Sequence, residues 1–194
     1  MHAAVCDFIL DCLQNSIEAG AQRIKLSIIE TQHRLSIEIT DDGCGMTEQE
    51  LKKAVDPFYT DGHKHRARRV GLGIPFLIQA VEQSDGDWKL DSEKGKGTRL
   101  GFFFSSDHID TPPTGDISGM LLQAIMFDGG FELEIERRLE KDGRTDGYSV
   151  KRSEMIEVLG DLNDADSLIM ARQFLKSQEE DYLLEKEDLI EGDR

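Results

Sequence analysis

Four short signatures, whose residue types and spacing could do chemistry, follow one another along this chain of 194 residues. They are Asp11-x-x-x-Asn15, Asp41-x-Gly43-x-Gly45, Gly71-Leu72-Gly73 and Gly95-Lys96-Gly97-Thr98. A carboxylate and an amide one helical turn apart can serve a water molecule and a metal ion. A carboxylate beside two glycines can hold an adenine amino group, and a glycine-flanked turn that opens a helix can hold phosphates. The order of the four signatures is more informative than any one of them.

Each signature also has a simpler interpretation. Asp11 and Asn15 share a helix face, which could equally be a solvent-facing stripe. The Asp41 segment could be a tight turn, and it fits a calcium loop poorly because the twelve-residue ligand spacing is missing. The Gly71 signature lacks the third glycine of a dinucleotide fingerprint. The Gly95 signature is not a P-loop, because it precedes a strand and has no Ser or Thr directly after its lysine.

Composition narrows the class of protein. A formal net charge of −16 argues against nucleic acid or an anionic membrane as the main partner, because both attract basic surfaces. No apolar run approaches about 18 residues, so we expect no membrane span or secretory signal. Three cysteines without a Cys-x-x-Cys pair predict reduced thiols in a cytoplasmic protein. The basic segment 63–69 is the exception to the acidity, and a cluster of this kind usually meets an anion; its two histidines lack a third metal ligand nearby.

Hydrophobic spacing predicts the elements that carry these signatures. Apolar residues at helical intervals cover residues 3–19, and Gly20 is placed as the left-handed residue that ends this helix. Thr47 and Glu50 form a capping box for a short helix that closes at Pro57. Alternating residues predict strands around 24–28, 35–39, 88–91 and 98–104.

The first half of the chain has three further features. Residues 57–70 are polar and irregular, which predicts a mobile loop. Gly73 opens a helix with Pro75 in its first turn. Phe102, Phe103 and Phe104 are consecutive, a pattern that suits a strand buried on both faces.

The best boundary in the chain is the segment of Ser, Asp, Thr, Pro and Gly that ends at Asp116. It divides the chain into a domain over residues 1–106, a linker over 107–116 and an extension over 117–194. The extension is predicted to contain a helix near 117–127, a hairpin with strands around 131–139 and 147–151 turning at Asp142-Gly143, and helices starting at Ser153 and Asp166. Its end is an acidic tail, and the extension is expected to bind a partner or to cover a sheet edge.

Together the signatures resemble the ATP-binding domain of the GHKL superfamily, which includes DNA gyrase, heat-shock chaperones, sensor histidine kinases and MutL. The segment 11–21 is similar to the asparagine box, 41–46 to the first glycine box and 71–73 to the second. The segment 56–60 resembles the phenylalanine box of histidine kinases, and Thr98 matches the threonine that closes the pocket. More narrowly, the chain resembles stand-alone ATP-binding proteins encoded near iron-only hydrogenase genes. The resemblance over about residues 3–104 implies an α+β fold, a two-layer α/β sandwich of Bergerat type with a mixed sheet, followed by a small α+β extension.

The resemblance also implies a role for each matching base-binding residue. Asp41 would accept a hydrogen bond from the adenine amino group, with Gly43 beside it. Thr98 would support the same contact through its hydroxyl. Gly45 and Met46 would line the base and ribose.

The remaining matches concern the phosphates and the metal ion. Asn15 would bind Mg²⁺, which bridges the phosphates. The backbone N–H groups of Gly71, Leu72 and Gly73 would hold phosphate at a helix N-terminus, where the helix dipole favours negative charge. The basic segment 63–69 would form a lid over the nucleotide. Its cationic members are Lys64, Arg66 and Arg69.

Asp11 departs from the family pattern. Gyrase-like and MutL-like ATPases carry a glutamate there as the general base, whereas sensor histidine kinases commonly carry asparagine. Aspartate keeps the charge but loses about 1.5 Å of reach, and proton abstraction needs heavy atoms within about 3 Å of each other. Slow hydrolysis is therefore expected rather than fast hydrolysis.

Three functions remain open from the sequence, and whether the chain is an enzyme, a weak ATPase or a protein phosphotransferase, stays open with them. The first is an Mg-ATP-binding regulatory switch with slow ATP hydrolysis, which uses its extension to meet a protein partner. The second is a protein kinase, either a histidine-kinase catalytic domain that acts on a separate phosphoacceptor or a serine kinase of the anti-sigma type. The third is a non-catalytic docking module.

Overall fold

The computed structural model describes residues 4–56, 73–141, 144–160 and 164–191, with side chains up to residue 182. The helices of these ranges are α1 (Val5–Glu18), α2 (Glu48–Ala54), α3 (Gly73–Gln83), α4 (Ile117–Ile125), α5 (Arg152–Leu159) and α6 (Ala165–Glu191). The strands are β1 (Arg23–Glu30), β2 (Arg34–Asp41), β3 (Asp87–Glu93), β4 (Gly97–Ser105), β5 (Glu132–Lys141) and β6 (Arg144–Lys151). The predicted loop 57–70 and the predicted turn at Asp142-Gly143 lie outside the described residues.

A mixed six-stranded sheet forms one layer, with strand order β3-β4-β2-β1-β5-β6. Strands β1 and β5 are parallel, and the other neighbouring strands are antiparallel. The register places Asp41 opposite Ile24 on one side and opposite Thr98 on the other. The predicted α+β sandwich with a mixed sheet is therefore confirmed.

Period-two alternation explains why one face of the sheet is buried under the helices. Leu26, Ile37 and Ile135 point into the core, while their neighbours along each strand are more exposed. The prediction of a β4 strand buried on both faces was wrong. Phe102 and Phe104 are buried, but Phe103 lies on the other face, half-buried, because the described helices pack on one side only.

On that outer face the Phe103 ring is covered by a cation instead of a helix. The guanidinium carbon of Arg34 lies 3.8 Å from the ring centroid, a cation–π contact. Arg34 pairs with Ser105, which lies two residues after Phe103 on the same face of β4, so the stacking follows from the strand register. An aromatic residue at this position is thus compatible with an open sheet face.

Helix α1 packs against α3, α4 and β2 and carries part of the site. Phe8, Ile9 and Leu13 recur at helical spacing and are buried. The helix ends where expected, since Gly20 has a φ of 75°, the left-handed conformation that favours glycine. The capping box of α2 is also confirmed, because Glu50 N–H donates to Thr47 and the Glu50 carboxylate accepts from Thr47 N–H.

The residues after 117 continue the same sheet. Strand β5 runs parallel to β1 from Arg23 opposite Glu132 to Glu30 opposite Leu139, and so covers what would otherwise be an edge of the sheet. A buried polar cluster crosses this junction. Arg137 of β5, only 2% exposed, lies 2.7 Å from Glu30 of β1 and 3.6 Å from Glu179 of α6.

Two tyrosines complete the polar cluster. The Arg137 guanidinium carbon lies 3.9 Å from the centre of the Tyr182 ring. The Tyr182 hydroxyl donates to Glu30, 3.0 Å away, and the Tyr148 hydroxyl donates to Glu179. Each charge in the cluster faces an opposite charge or a hydroxyl, but Nε and Nη1 of Arg137 have no hydrogen-bond partner among the described residues, so the burial of these groups is compensated only in part. The cluster joins β1, β5, β6 and α6.

Candidate functional site

The site is built around Asp41, a carboxylate at the end of β2 that is 8% exposed. The Ser16 hydroxyl of α1 donates to Asp41 Oδ2 at 2.7 Å. The Gly43 N–H donates to Asp41 Oδ1 at 2.9 Å. Each carboxylate oxygen of Asp41 therefore has one donor and can accept another hydrogen bond. Burial with two fixed donors orients the group without using up its acceptor capacity.

Gly43 allows the chain to pass close to Asp41 and to the end of α1. A Cβ atom at Gly43 would lie 2.9 Å from Asp41 Oδ1 and 3.0 Å from Ala19 Cβ, tighter than real side-chain contacts. The next residue, Cys44, donates its N–H to the Ala19 carbonyl at 2.9 Å. The segment after β2 is thus fastened against the C-terminus of α1.

Gly45 and Gly97 bring this segment against the hairpin between β3 and β4. Gly45 has a φ of 57°, and a Cβ there would lie 2.0 Å from the Glu93 carbonyl oxygen. Gly97 has a φ of 96°, and a Cβ there would lie 1.9 Å from the Asp41 carbonyl oxygen. Both positions require glycine for the backbone conformation and for the approach of a second backbone.

A hydroxyl group joins the hairpin to Met46. The Met46 N–H donates to the Ser92 hydroxyl at 2.9 Å, and that hydroxyl lies 3.0 Å from the Gly97 carbonyl oxygen and 2.9 Å from the Thr98 hydroxyl. Thr98 is half-buried and stands directly opposite Asp41 in the ladder between β2 and β4. The two polar side chains are therefore cross-strand neighbours.

The Asp11 and Asn15 pair lies on α1, one turn apart. Asp11 is half-buried, and its carboxylate lies against the start of α3, since a Cβ at Gly73 would meet Asp11 Oδ2 at 3.2 Å. Asn15 is exposed and directly precedes Ser16, the donor to Asp41. The start of α3, the acidic side chain of α1 and the buried carboxylate of β2 are therefore parts of one region.

The structure places eight of the predicted site residues in this region. They are Asp11, Asn15, Asp41, Gly43, Gly45, Met46, Gly73 and Thr98. Five others lie outside the described residues, namely Gly71, Leu72, Lys64, Arg66 and Arg69.

Surface electrostatics stabilise the rim of the site. Asp42 accepts the backbone N–H groups of Arg23 and Gln22, each at 2.8 Å, and these bonds with the nearby Arg23 guanidinium lower the pKa of its carboxyl. The pKa of the Glu50 carboxyl is lowered by its hydrogen bonds to Thr47 and by Lys94. The Lys94 ammonium donates to the Gly45 carbonyl at 3.3 Å, so it connects the hairpin to the glycine segment.

Sequence reasoning missed two serines, and a signal existed for each. Ser16 follows Cys12 and Leu13 at helical spacing, so the buried face of α1 had to include a polar group in need of a partner. Ser92 shares one face of β3 with Trp88 and Leu90, because the three residues are spaced two apart, and this is the inner face of the sheet. Both serines contact residues of the four signatures, but neither serine is one of the residues that define a signature.

This fold and this constellation define a GHKL-type ATPase domain. The family described as histidine kinase-, DNA gyrase B- and HSP90-like ATPase matches residues 4–108, and the chain belongs to it. The match covers the sheet from β1 to β4 and ends before α4. Domains of this family bind ATP.

Similar curated proteins are kinases of Bacillus subtilis (strain 168). Sporulation kinase C is 32% identical over 91 residues, 46% of this chain and 20% of that protein. Sporulation kinase E is 34% identical over 93 residues, 46% of this chain and 12% of that protein. Sensor histidine kinase WalK is 31% identical over 99 residues, 50% of this chain and 16% of that protein. The chain thus spans a fifth or less of the length of these relatives. Within the ranges that the structure describes, no helix is long and apolar enough to cross a membrane.

Proposed function

We propose that this chain binds Mg-ATP between α1, the end of β2 and the start of α3, and acts as a regulatory nucleotide switch with slow ATP hydrolysis. The observation that carries the proposal is the state of Asp41. Its buried carboxylate has one fixed donor on each oxygen and retains a lone pair on each. Such a group is suited to accept a hydrogen bond from an amino group of a ligand.

The base would be held by acceptors on adjacent strands. Asp41 would accept from the adenine amino group, and Thr98, its cross-strand neighbour, would support that contact. Gly43, Gly45 and Met46 would line the base and ribose. A purine without the amino group would leave the remaining lone pair of Asp41 without a donor, a loss that reduces binding.

The phosphates would lie towards α3. Gly73 opens this helix, and the family resemblance adds the backbone of Gly71 and Leu72. Lys64, Arg66 and Arg69 would supply the positive charge of a lid. A metal ion is compatible with the donors present, because Mg²⁺ prefers oxygen ligands and keeps several from phosphates and water. The Asn15 amide oxygen would bind it, and the ion would neutralise phosphate charge.

Asp11 would act as a weak general base. Its carboxylate lies beside Gly73, next to the helix start that would receive the phosphates. It would hold a water molecule and take its proton, but the short aspartate side chain reaches less far than glutamate. Turnover should therefore be slow, which suits a protein that must keep its nucleotide long enough to signal.

Phosphoryl transfer to another protein is the second candidate. It is favoured by the relatives, which include a sensor histidine kinase and two sporulation kinases that match over this domain alone. A phosphoacceptor would then come from a protein partner, bound through residues 117–194. A cytoplasmic location belongs to both proposals, because both need ATP.

Incubation of the full chain with Mg²⁺ and γ-phosphate-labelled ATP separates the two candidates. Slow release of labelled phosphate by the chain alone supports the switch. Transfer of label to a co-purified partner, in a bond that acid breaks, supports the kinase. Absence of labelled ATP from the protein at millimolar nucleotide would overturn both candidates, since each requires the nucleotide to bind.

A further inference from the structure

Ser92 occupies a central position in the hairpin without belonging to any of the four signatures. Its hydroxyl lies within hydrogen-bond distance of three groups: the Met46 N–H at 2.9 Å, the Gly97 carbonyl oxygen at 3.0 Å and the Thr98 hydroxyl at 2.9 Å. Two of these three groups have a fixed role. A backbone N–H can only donate, and a carbonyl oxygen can only accept.

The direction of the bond between Ser92 and Thr98 follows from the number of protons that each group has. A serine hydroxyl has one proton and two lone pairs. The proton of Ser92 goes to the Gly97 carbonyl, and one lone pair receives the Met46 N–H. The remaining lone pair can be satisfied by the proton of Thr98. All three contacts are then hydrogen bonds, whereas donation from Ser92 to Thr98 would leave the Gly97 contact without a proton.

This arrangement makes Thr98 an acceptor towards any ligand. Its only proton is directed at Ser92, so the hydroxyl presents lone pairs elsewhere. Asp41, directly opposite on β2, accepts the hydrogen bonds of both its contacts, Ser16 and Gly43. The two polar side chains at this place on β2 and β4 therefore both lack a proton to offer.

We propose that Ser92 is a specificity-determining residue of the nucleotide site, which selects a 6-amino purine over a 6-oxo purine by holding the Thr98 hydroxyl as an acceptor. This inference rests on the proposed ATP site. Adenine presents an amino donor at position 6, whereas hypoxanthine and guanine present a carbonyl acceptor there. An acceptor facing an acceptor is unfavourable, and Ser92 prevents Thr98 from rotating to donate.

Ser92 acts through Thr98, so its test must separate selectivity from general affinity. ATP and ITP are the matched probes, because they differ in the amino or oxo group at position 6 and in the N1 proton that accompanies it. We measure the ratio of their dissociation constants by calorimetry with Mg²⁺, using the full chain. In Ser92→Ala the Thr98 hydroxyl is free to rotate and to donate to the ITP carbonyl. The preference for ATP should fall about fivefold, the size of one neutral hydrogen bond.

Three further variants define the origin of the effect. Ser92→Thr keeps the hydroxyl in a residue type that strands favour and should retain the preference. Ser36→Ala, on the outer face of β2, should leave the ratio unchanged. Thr98→Val removes the hydroxyl that Ser92 orients, so adding Ser92→Ala to it should not change the ratio further, a non-additivity that a double-mutant cycle measures.

The outcomes are separable from those of the proposed function. If the native chain binds neither ATP nor ITP, the nucleotide site itself is wrong. If the native chain prefers ATP and Ser92→Ala weakens both nucleotides equally, the ATP site stands and the selectivity role of Ser92 is overturned. A preference lost equally in Ser92→Ala and Ser92→Thr would also overturn it, since the hydroxyl would then be irrelevant. Circular dichroism on each variant shows that the fold is retained.

Discussion

A buried carboxylate needs hydrogen-bond donors in place of the water that it has lost, and Asp41 has two of them, Ser16 and Gly43. Ser16 is not a residue of the four signatures, whereas Gly43 is one of them. Ser16 comes from a helix that precedes Asp41 by 25 positions, and Gly43 acts through its backbone. At the scale of residues, the chemistry of the site therefore depends on groups that hold the ligand-binding side chain in place.

Substitution of Asp11 tests the proposed general base. In Asp11→Asn the side chain keeps its size but cannot take a proton at neutral pH, so phosphate release should stop while ATP affinity stays within about threefold of the native value. Asp11→Glu restores the missing methylene and should raise turnover. Both are measured by phosphate release at saturating ATP. Turnover that survives in Asp11→Asn would show that another group activates the water.

At the scale of elements, the hairpin between β3 and β4 positions the glycine segment after β2. Gly95 and Gly97 flank Lys96 at its tip, and both have a positive φ. Their surroundings differ, because a Cβ at Gly95 would meet nothing within 4 Å, whereas one at Gly97 would lie 1.9 Å from the Asp41 carbonyl oxygen. The same backbone conformation thus serves a free turn in one case and a close contact in the other.

Alanine at these two glycines separates conformational strain from steric contact. Gly95→Ala should lower the free energy of unfolding by about 1 to 2 kcal/mol, the cost of a left-handed alanine. Gly97→Ala adds a displacement of β2 and should lower it by more than about 3 kcal/mol and weaken ATP binding. Urea denaturation and calorimetry measure the two effects. Equal losses of stability would mean that the close approach at Gly97 is not required.

Local elements were predictable because their signals are local. Gly20 and the Thr47 capping box act within a few residues, and the structure confirms them. The exposure of Phe103 was not predictable from β4 alone, because it depends on whether a second layer covers the outer face. The parallel pairing of β5 with β1 is likewise non-local, since more than 100 residues separate the partners Arg23 and Glu132. For the site, residue types indicated the ligand chemistry, and only the fold identified the roles of Ser16 and Ser92.

At the scale of the whole molecule, the polar cluster joins the family domain to the residues beyond it. Arg137 compensates Glu30 from β1 and Glu179 from α6 within one buried region. Arg138, its neighbour on β5, forms ion pairs with Glu136 and Glu140 on the outer face instead. The two arginines provide a matched pair of buried and surface charges.

Arg137→Ala should lower the free energy of unfolding by about 3 to 5 kcal/mol, because it leaves the buried carboxylate of Glu179 and the half-buried one of Glu30 without their cation. Arg138→Ala should lower it by about 1 kcal/mol or less, as is usual for surface ion pairs. Urea denaturation followed by fluorescence and circular dichroism gives both values. Similar losses for the two variants would contradict the role assigned to the buried cluster.

Alkaline pH should destabilise the protein through its buried thiols. Burial raises the pKa of Cys12 from 9.0 to about 12, with Asp11 adding to the shift. Burial and the nearby Asp116 raise the pKa of Cys6 to about 12 as well. The unfolded chain then releases these protons first, so the stabilisation is complete below pH 9 and is lost as the pH rises towards 12. Each thiol contributes a slope of about 1.4 kcal/mol per pH unit.

The test of the alkaline prediction is denaturation under reducing conditions at several pH values from 8 upwards. Burial also raises the pKa of Tyr148 and Tyr182, which steepens the decline above pH 10. A variant with alanine at Cys6 and Cys12 should be less stable at pH 8 but should show a shallower decline between pH 9 and 10. An identical slope in the variant would exclude the thiols as its cause.

Calorimetric titration of Asp41→Asn with Mg-ATP tests the central claim most directly. Asparagine fills the same space but offers one acceptor oxygen and an amino group, so it cannot accept from both Ser16 and Gly43 and still receive an amino group from the base. Asp42→Asn is the control, since Asp42 is exposed and directed at Arg23. We expect the native chain and Asp42→Asn to bind ATP and Asp41→Asn to show no binding while retaining its circular dichroism spectrum. Unchanged affinity in folded Asp41→Asn would contradict the assignment of the nucleotide site.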